Sequence, residues 1–307
     1  MTSKHDISLF QKVENNIVEQ EDFSRPSISY GKDVIRRLFQ NPVAVISLVI
    51  IILIVIMSAI GPHLTKFTYF DQDYTQMNVG PNEGHYFGTD DLGRDLFARA
   101  WQGGRVSLFI GFAAAFMDFI IGVTYGSFAG YTGGRVDTIM MRITEILYSI
   151  PYMLMVILFS VILGSGIPSL ILAMTVTGWI PMARLVRGQT LQLKELEYVQ
   201  AAKSFGAPTK WILSKHMLPN MMGPIIVSLT LTVPRAIFAE ATLSFLGLGV
   251  SPPNTSWGQM ANDGLEQLIV GNYLNLFVPS ILICLTMLCF NLLGDGLRDA
   301  LDPRLRK

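Results

Sequence analysis

The chain has 307 residues, half of them hydrophobic and only 15% charged, with a mean hydropathy of +0.43. An ordinary soluble domain is roughly a quarter charged, so the balance is that of a membrane protein. Lysines plus arginines equal aspartates plus glutamates at 23 each, which leaves no basic field for nucleic acid and no acidic surplus for a disordered tail. Cys284 and Cys289 lie five apart in an apolar run; they point to different helix faces, make neither a disulfide framework nor a zinc site, and read as small core hydrophobes.

About forty polar residues come first, with no short apolar region or cleavage site, so a removable signal is not expected. Residues 1–42 read as a cytoplasmic tail. At its end Val34, Ile35, Leu38 and Phe39 recur at helical spacing opposite Lys32, Asp33, Arg36 and Arg37. That pattern fits a short helix at the membrane surface or a cytoplasmic extension of the first span, with a break at Pro42. Val43 to Gly61 is an uncharged stretch rich in Ile, Val and Leu, long enough to cross about 30 Å of hydrocarbon. An extracytoplasmic segment, 62–103, follows. Five further spans are predicted at 104–130, 139–164, 167–187, 223–249 and 275–294 within a core of 104–294, and 295–307 is a second cytoplasmic tail. The later spans are broken by Gly, Pro and a few charges, which suits burial among other helices rather than exposure to lipid.

Orientation follows from the Lys and Arg between spans. With the N-terminus cytoplasmic, that side receives Lys4, Lys12, Arg25, Lys32, Arg36 and Arg37 from the first tail and Arg135 and Arg142 beside the second loop. It also receives six from the long fourth loop and four from the C-terminal tail. The outside receives Lys66, Arg94, Arg99 and Arg105, and Val250 to Leu274 carries no Lys or Arg. Both termini are therefore expected in the cytoplasm.

No phosphate loop, G-x-S-x-G elbow or H-E-x-x-H occurs, and His5, His63, His85 and His216 have no ligand spacing. No catalytic residue and no metal site is expected, and energy for transport has to come from an ion gradient or a separate ATPase. Four charges fall inside predicted spans: Asp118, Glu145, Arg235 and Glu240. Arg142 and Glu145 are three apart and can pair on one helix face; Arg235 and Glu240 are five apart, so a partner on another helix is expected for each of those two. Structural or gating pairs are favoured over a proton or sodium relay.

The fourth loop, 195–220, predicts two short helices. Glu195 to Phe205 favours helix, Gly206 can take the left-handed conformation that ends it, Pro208 can occupy the first turn of the next, and Pro219 limits that second helix before span five. Tyr198, Ala201, Ala202 and Phe205 share a face shaped to enter a groove. Thr89-Asp90-Asp91 suits the start of a helix carrying Leu92, Leu96 and Phe97. Gly122, Gly126 and Gly130 recur every four residues and permit close approach of a neighbouring helix.

The spacing Ala201-Ala202, three residues, Gly206, then Leu218-Pro219 resembles the cytoplasmic loop of permease subunits of ATP-binding-cassette importers. Gln200 stands where the family pattern has Glu, and His216 where it has Ile, the latter similar to the H-x-L-P-N form of peptide importers. The stretches Phe87 to Asp95, Glu240 to Met260 and Gly294 to Arg306 look like the C-type permease of oligopeptide and dipeptide importers. The resemblance implies an all-α membrane protein of six transmembrane helices with the type I importer permease fold, forming half of a pore. It implies a second, similar permease, two cytosolic ATPases that carry ATP and Mg and dock on Tyr198 to Leu218, surrounding lipid, and an extracytoplasmic peptide-binding protein. No cofactor is expected on this chain. The same architecture serves nickel, glutathione and some oligosaccharides, and nickel is disfavoured because no His or Cys cluster lines a span.

Overall fold

A computed structural model describes residues 30–164 and 166–302. The tail cations Lys4, Lys12, Arg25, Arg304, Arg306 and Lys307, with His5 and the end of the C-terminal motif, lie outside the described residues.

Helix α1 (Tyr30–Gln40) and α2 (Pro42–Ile60) are separated by Asn41. The Asn41 carboxamide accepts from the amides of Val43 and Ala44, and Pro42 occupies the first turn, where a missing N–H costs nothing. In α2 the buried positions are Ala44, Ser47, Ile51, Ile54 and Ser58, while Val43, Ile46, Val49, Leu53 and Ile56 are exposed. Both serines and Ala44 therefore face the bundle together with Ile51 and Ile54, while the outward face is large and apolar throughout, the arrangement of a helix solvated by lipid.

Helix α3 (Leu96–Thr132) is the central element and starts eight residues before the predicted span. The predicted span 139–164 is two helices, α4 (Gly134–Ser149) and α5 (Tyr152–Leu163), which meet at 84°. Pro151 forces the break: Ile150 before it is extended at φ −85°, ψ 130°, as a residue preceding proline prefers. The next pair, α6 (Ile167–Gly178) and α7 (Ile180–Leu193), bends by 41° around Trp179. Among the described residues four helical runs are long and apolar enough to cross a membrane, and up to six if each bent pair is one span.

The fourth loop forms α8 (Glu197–Ser204) and α9 (Thr209–Trp211). A π-helical turn, Ile212–Met217, then runs into α10 (Leu218–Phe245). Pro219 was expected to stop the second loop helix; instead one helical run extends from Thr209 to Phe245. The proline sits in the first turn of α10, and the wider π turn supplies an i−5 bond, Leu218 N–H to Leu213 O, just ahead of it. The chain closes with α11 (Trp257–Gln267) and α12 (Leu274–Leu301).

Helix α3 lies against α7, α10 and α2, and α12 against α10, α11 and α2. The Gly122, Gly126 and Gly130 stripe is where α3 meets α7. A β-carbon at Gly122 would stand 2.6 Å from that of Met182 and one at Gly130 2.8 Å from that of Thr190, so only glycine admits this approach. Cys289 is buried, Cys284 exposed, and both are free.

Candidate functional site

Helix direction defines two ends. At one, Lys194 at the end of α7 reaches Gly130 O near the end of α3 (3.3 Å), and Gly296 of α12 lies against Asn41 and Ala44 of α2. This end carries α8 and α9. At the other, Trp257 Nε1 donates to Ala100 O (2.8 Å), and the segments 62–95 and 250–273 meet.

At the first end, Val199 of α8 is buried with Ile212, Met217 and Met221, and Ala202 packs beside them. The opposite face is exposed: Tyr198 at 40%, Ala201, and Phe205 at 90%. Of the four residues expected to share a face, Ala202 thus turns inward and the other three present an apolar ridge to the outside. Helix α8 starts at Glu197, two residues later than predicted, and ends at Ser204 with Gly206 at φ +77°. A side chain there is strained even though the space around it is empty. Gln200 donates to Lys194 O (2.7 Å) and fastens α8 to the end of α7. His216 lies beside the rings of Trp211 (4.6 Å) and Tyr198 (6.0 Å), and Asn220 donates to the Tyr198 hydroxyl (3.2 Å) and to His216 O (2.5 Å). Leu218 and Pro219 open α10 directly below this cluster.

The four charges predicted inside spans have different fates. Glu240 is fully buried, and its partners are hydroxyls rather than Arg235: Ser107 of α3 (2.8 Å) and Ser244 (2.7 Å) donate to it. Ser107 Oγ accepts from Trp257 N–H, and Ser256 donates to Ser244 while capping α11 through Gln259 N–H. The carboxyl therefore joins α3, α10 and α11. Asp118 is 6% exposed beside Gly178, and its Oδ1 has no partner. Arg235 is exposed and has no ion pair among the described residues. Glu145 pairs with Arg142 on its own helix face (2.8 Å), as their spacing of three allows, and both are well exposed. With α4 bent away at Pro151, neither is forced into the interior.

The end opposite α8 holds a charge cluster that sequence reasoning missed. Arg99, 3% exposed, donates from Nη1 to Asp90 and from Nη2 to Asp263, both at 2.9 Å, and Arg94 Nε donates to Asp90 (2.6 Å). A buried guanidinium needs such partners, because an unpaired charge away from water is costly. The signal was Arg99 itself, flanked by Leu96, Ala98 and Ala100 on a helix face that has to be buried. Thr89 does not cap α3. Asp90 folds a turn by accepting from Leu92 and Arg94 amides, Gly93 takes φ +73°, and Asp95 becomes the cap by accepting from Ala98 N–H (2.8 Å). Leu92 is left outside the helix. Asp95 also holds His85 Nδ1 (2.8 Å), whose ring stacks on Phe67. The carboxyl of Asp91 titrates above its ordinary range because it is partly buried beside Asp90 and Asp263, with Arg94 opposing. Among the described residues no group of three or more His, Cys, Asp or Glu could hold a metal ion.

A bundle of bent apolar spans with an exposed helical ridge on the loop between α7 and α10 is the architecture of a transport permease. The fold agrees with a solved chain described as "Inward facing conformations of the MetNI methionine ABC transporter", with a TM-score of 0.51 at 22% identity over 66% of this chain and 95% of that one. Residues 122–307 match the family described as binding-protein-dependent transport system inner membrane component, and 29–81 match the N-terminal TM domain of oligopeptide transport permease C; the chain belongs to this permease family. It is 55% identical to the dipeptide transport system permease protein DppC of Bacillus subtilis, covering 94% of this chain and 90% of that one. It is 51% identical to the oligopeptide transport system permease protein OppC of the same organism, covering 98% of each. It is 45% identical to the oligopeptide transport system permease protein OppC of Escherichia coli, over 91% of this chain and 92% of that one.

Proposed function

We propose that this chain forms half of the pore of an ATP-driven importer of oligopeptides or dipeptides in the cell membrane. The observation that carries the mechanism is the Tyr198, Ala201 and Phe205 ridge: an apolar, outward-facing helix surface at the end opposite the charge cluster. Large apolar side chains in this position call for a protein partner. Two cytosolic ATPases, which hold the ATP and Mg, dock on 195–220 of this chain and of a second, similar permease. Both termini are cytoplasmic and the chain crosses six times, consistent with the excess of Lys and Arg at that end. ATP binding draws the ATPases together and moves α8; the packing of Val199 and Ala202 on Met217 and Met221 passes the displacement to α10. Gln200, Gly206 and Pro219 set the shape of this lever, and His216 and Leu218 line its seat. The pore then opens outward to accept a peptide from an extracytoplasmic binding protein, and hydrolysis resets it.

Peptide is preferred as cargo because the relatives at 45% identity or above are described as dipeptide or oligopeptide permeases, whereas the glutathione transport system permease GsiD of Pectobacterium atrosepticum is 40% identical.

Purification in mild detergent from the native membrane is expected to recover a second permease and two ATPases, and Gly206→Val is expected to release the ATPases and abolish peptide uptake while the chain still inserts. Normal uptake by a well-expressed Gly206→Val variant would falsify the lever. Recovery of the chain alone, with uptake driven by a proton or sodium gradient, would remove the ATP-driven reading altogether.

A further inference from the structure

A cavity of about 570 Å³ opens at the outer end between the 62–95 segment and α11. Its apolar wall is Phe70, Leu92, Pro252 and Pro253, and its polar side includes Asp91, Asp263 and Glu266. Arg94 and Arg99 also line it, but both are committed: Arg99 to Asp90 and Asp263, Arg94 to Asp90. The carboxylates are not all used in return. Asp91 has only a 3.7 Å approach from Arg94, and Glu266 has no ion pair among the described residues. With Asp90, four carboxylates stand against two guanidiniums.

Two further observations point to a ligand. Thr255, 2% exposed, lines the cavity, and its hydroxyl has no hydrogen-bond partner; a buried hydroxyl left unpaired is costly unless something else completes it. The surrounding surface has the same sign: leaving out the buried Asp90, Asp95 and Arg99, six carboxylates stand against three cations over residues 62–105 and 250–274.

We propose that this cavity is a docking socket for a basic side chain, Lys or Arg, presented by the extracytoplasmic binding protein. The aliphatic stem of such a side chain fits the Phe70, Leu92 and proline wall, as long cationic side chains bury their methylenes on apolar surface. Its charged head meets Asp91 and Glu266, with the Thr255 hydroxyl within the same polar side. A protein partner is favoured over a free peptide because the lining, Arg99 apart, comes from the loops and α11 rather than from the long spans, and because the excess negative charge extends beyond the cavity. Complementary rim charges act chiefly on encounter and register, so the interaction is salt-sensitive. The proposal rests on the importer reading above, since it needs a binding protein.

The test uses the complete importer in nanodiscs with its own binding protein, measuring ATPase stimulation against binding-protein concentration at low and high salt. For Asp91→Asn combined with Glu266→Gln, the half-saturating concentration at low salt is expected to rise about tenfold and its salt dependence to flatten. Glu266→Lys, on an exposed position that does not support the fold, is expected to shift it further in the same direction. Unchanged half-saturation and salt dependence in both variants would overturn the socket. So would a shift that tracks free peptide concentration rather than binding protein, which would make the cavity a cargo site. If even the unaltered importer is not stimulated by any binding protein, it is the importer reading that fails.

Discussion

The two ends of the bundle are built on opposite principles. At the end that carries α11, shared polar and charged contacts cross-link the elements over a small apolar cluster of Leu96, Ala100 and Met260: Arg99 ties α3 to α11, Glu240 ties α3 and α10 to the cap of α11, and Asp95 both caps α3 and holds His85. At the α8 end the loop is held by side-chain bonds from Gln200 and Asn220, by the seat of Val199 and by ring contacts at His216, and Phe205 is 90% exposed. Rigid charge networks specify one arrangement, whereas a small apolar seat allows an element to move and leaves its outer face for a partner. The contrast teaches where stability and function separate in this chain. Outer-end substitutions should unfold it, and coupling-end substitutions should leave it folded and inactive.

The largest expected effect is at Arg99. Arg99→Met removes the buried cation between Asp90 and Asp263 and leaves them only Arg94, at 2.6 Å and 3.7 Å; breaking a buried pair costs about 3–5 kcal/mol. A thermal-shift or limited-proteolysis comparison in detergent should place this variant well below the parent, and near-parental stability would show that the outer cluster is dispensable. Glu240→Ala comes next. It strands the hydroxyls of Ser107 and Ser244 and loosens the α11 cap, at about 1–3 kcal/mol for the buried groups left unsatisfied. Asp263→Asn together with Glu240→Ala should cost more than either alone but less than their sum, because both release the same helix.

Phe205→Ala reverses the pattern. The ring is exposed, so stability should change by no more than about 0.5 kcal/mol, while ATPase co-purification and peptide uptake should both fall sharply. Equal losses of stability at Phe205 and Arg99 would erase the distinction between the ends.

How much of this was legible beforehand depended on the range of the interaction that decides each feature. The α2 span, the α1 pattern and the Gly122, Gly126 and Gly130 stripe are written locally, in composition and in spacing along one helix, and each was read correctly as an element. The break at Pro151 is also local; it was passed over because hydropathy continues across it, although proline's hold on Ile150 was sufficient to predict it. Pro219 failed for the reverse reason: a proline that ends one helix and a proline that starts the next look alike until the π turn before it is seen. The contact between Arg99 and Asp263 spans 164 positions, and the Ser107–Glu240 bond spans 133. No local pattern names such partners, so Glu240 was recognised as buried and charged, but its serine partners were not foreseen. The exposed ridge on α8 was found by spacing and resemblance together, and only the inward turn of Ala202 needed the packed structure.

The smallest effect concerns Asp91, at the margin of the rigid end. Its carboxyl titrates above the ordinary value of 3.8, first because it is partly buried and then because Asp90 and Asp263 lie near. The folded chain therefore holds this proton at pH values where the unfolded chain has released it. By linkage, the contribution to stability is fully present below the unfolded pKa and is lost as pH rises through the folded one, so ionising Asp91 opposes folding. Because the side chain is 41% exposed, solvent screens much of the cost. Asp91→Asn should flatten the dependence of the thermal midpoint on pH from about pH 4 upward. A parental slope in that window would mean that Asp91 is ionised at no cost, and that the outer end is less tightly held at its rim than at Arg99. A flattened slope would mean that the socket keeps a carboxylate under mild strain, which a basic side chain from outside would relieve.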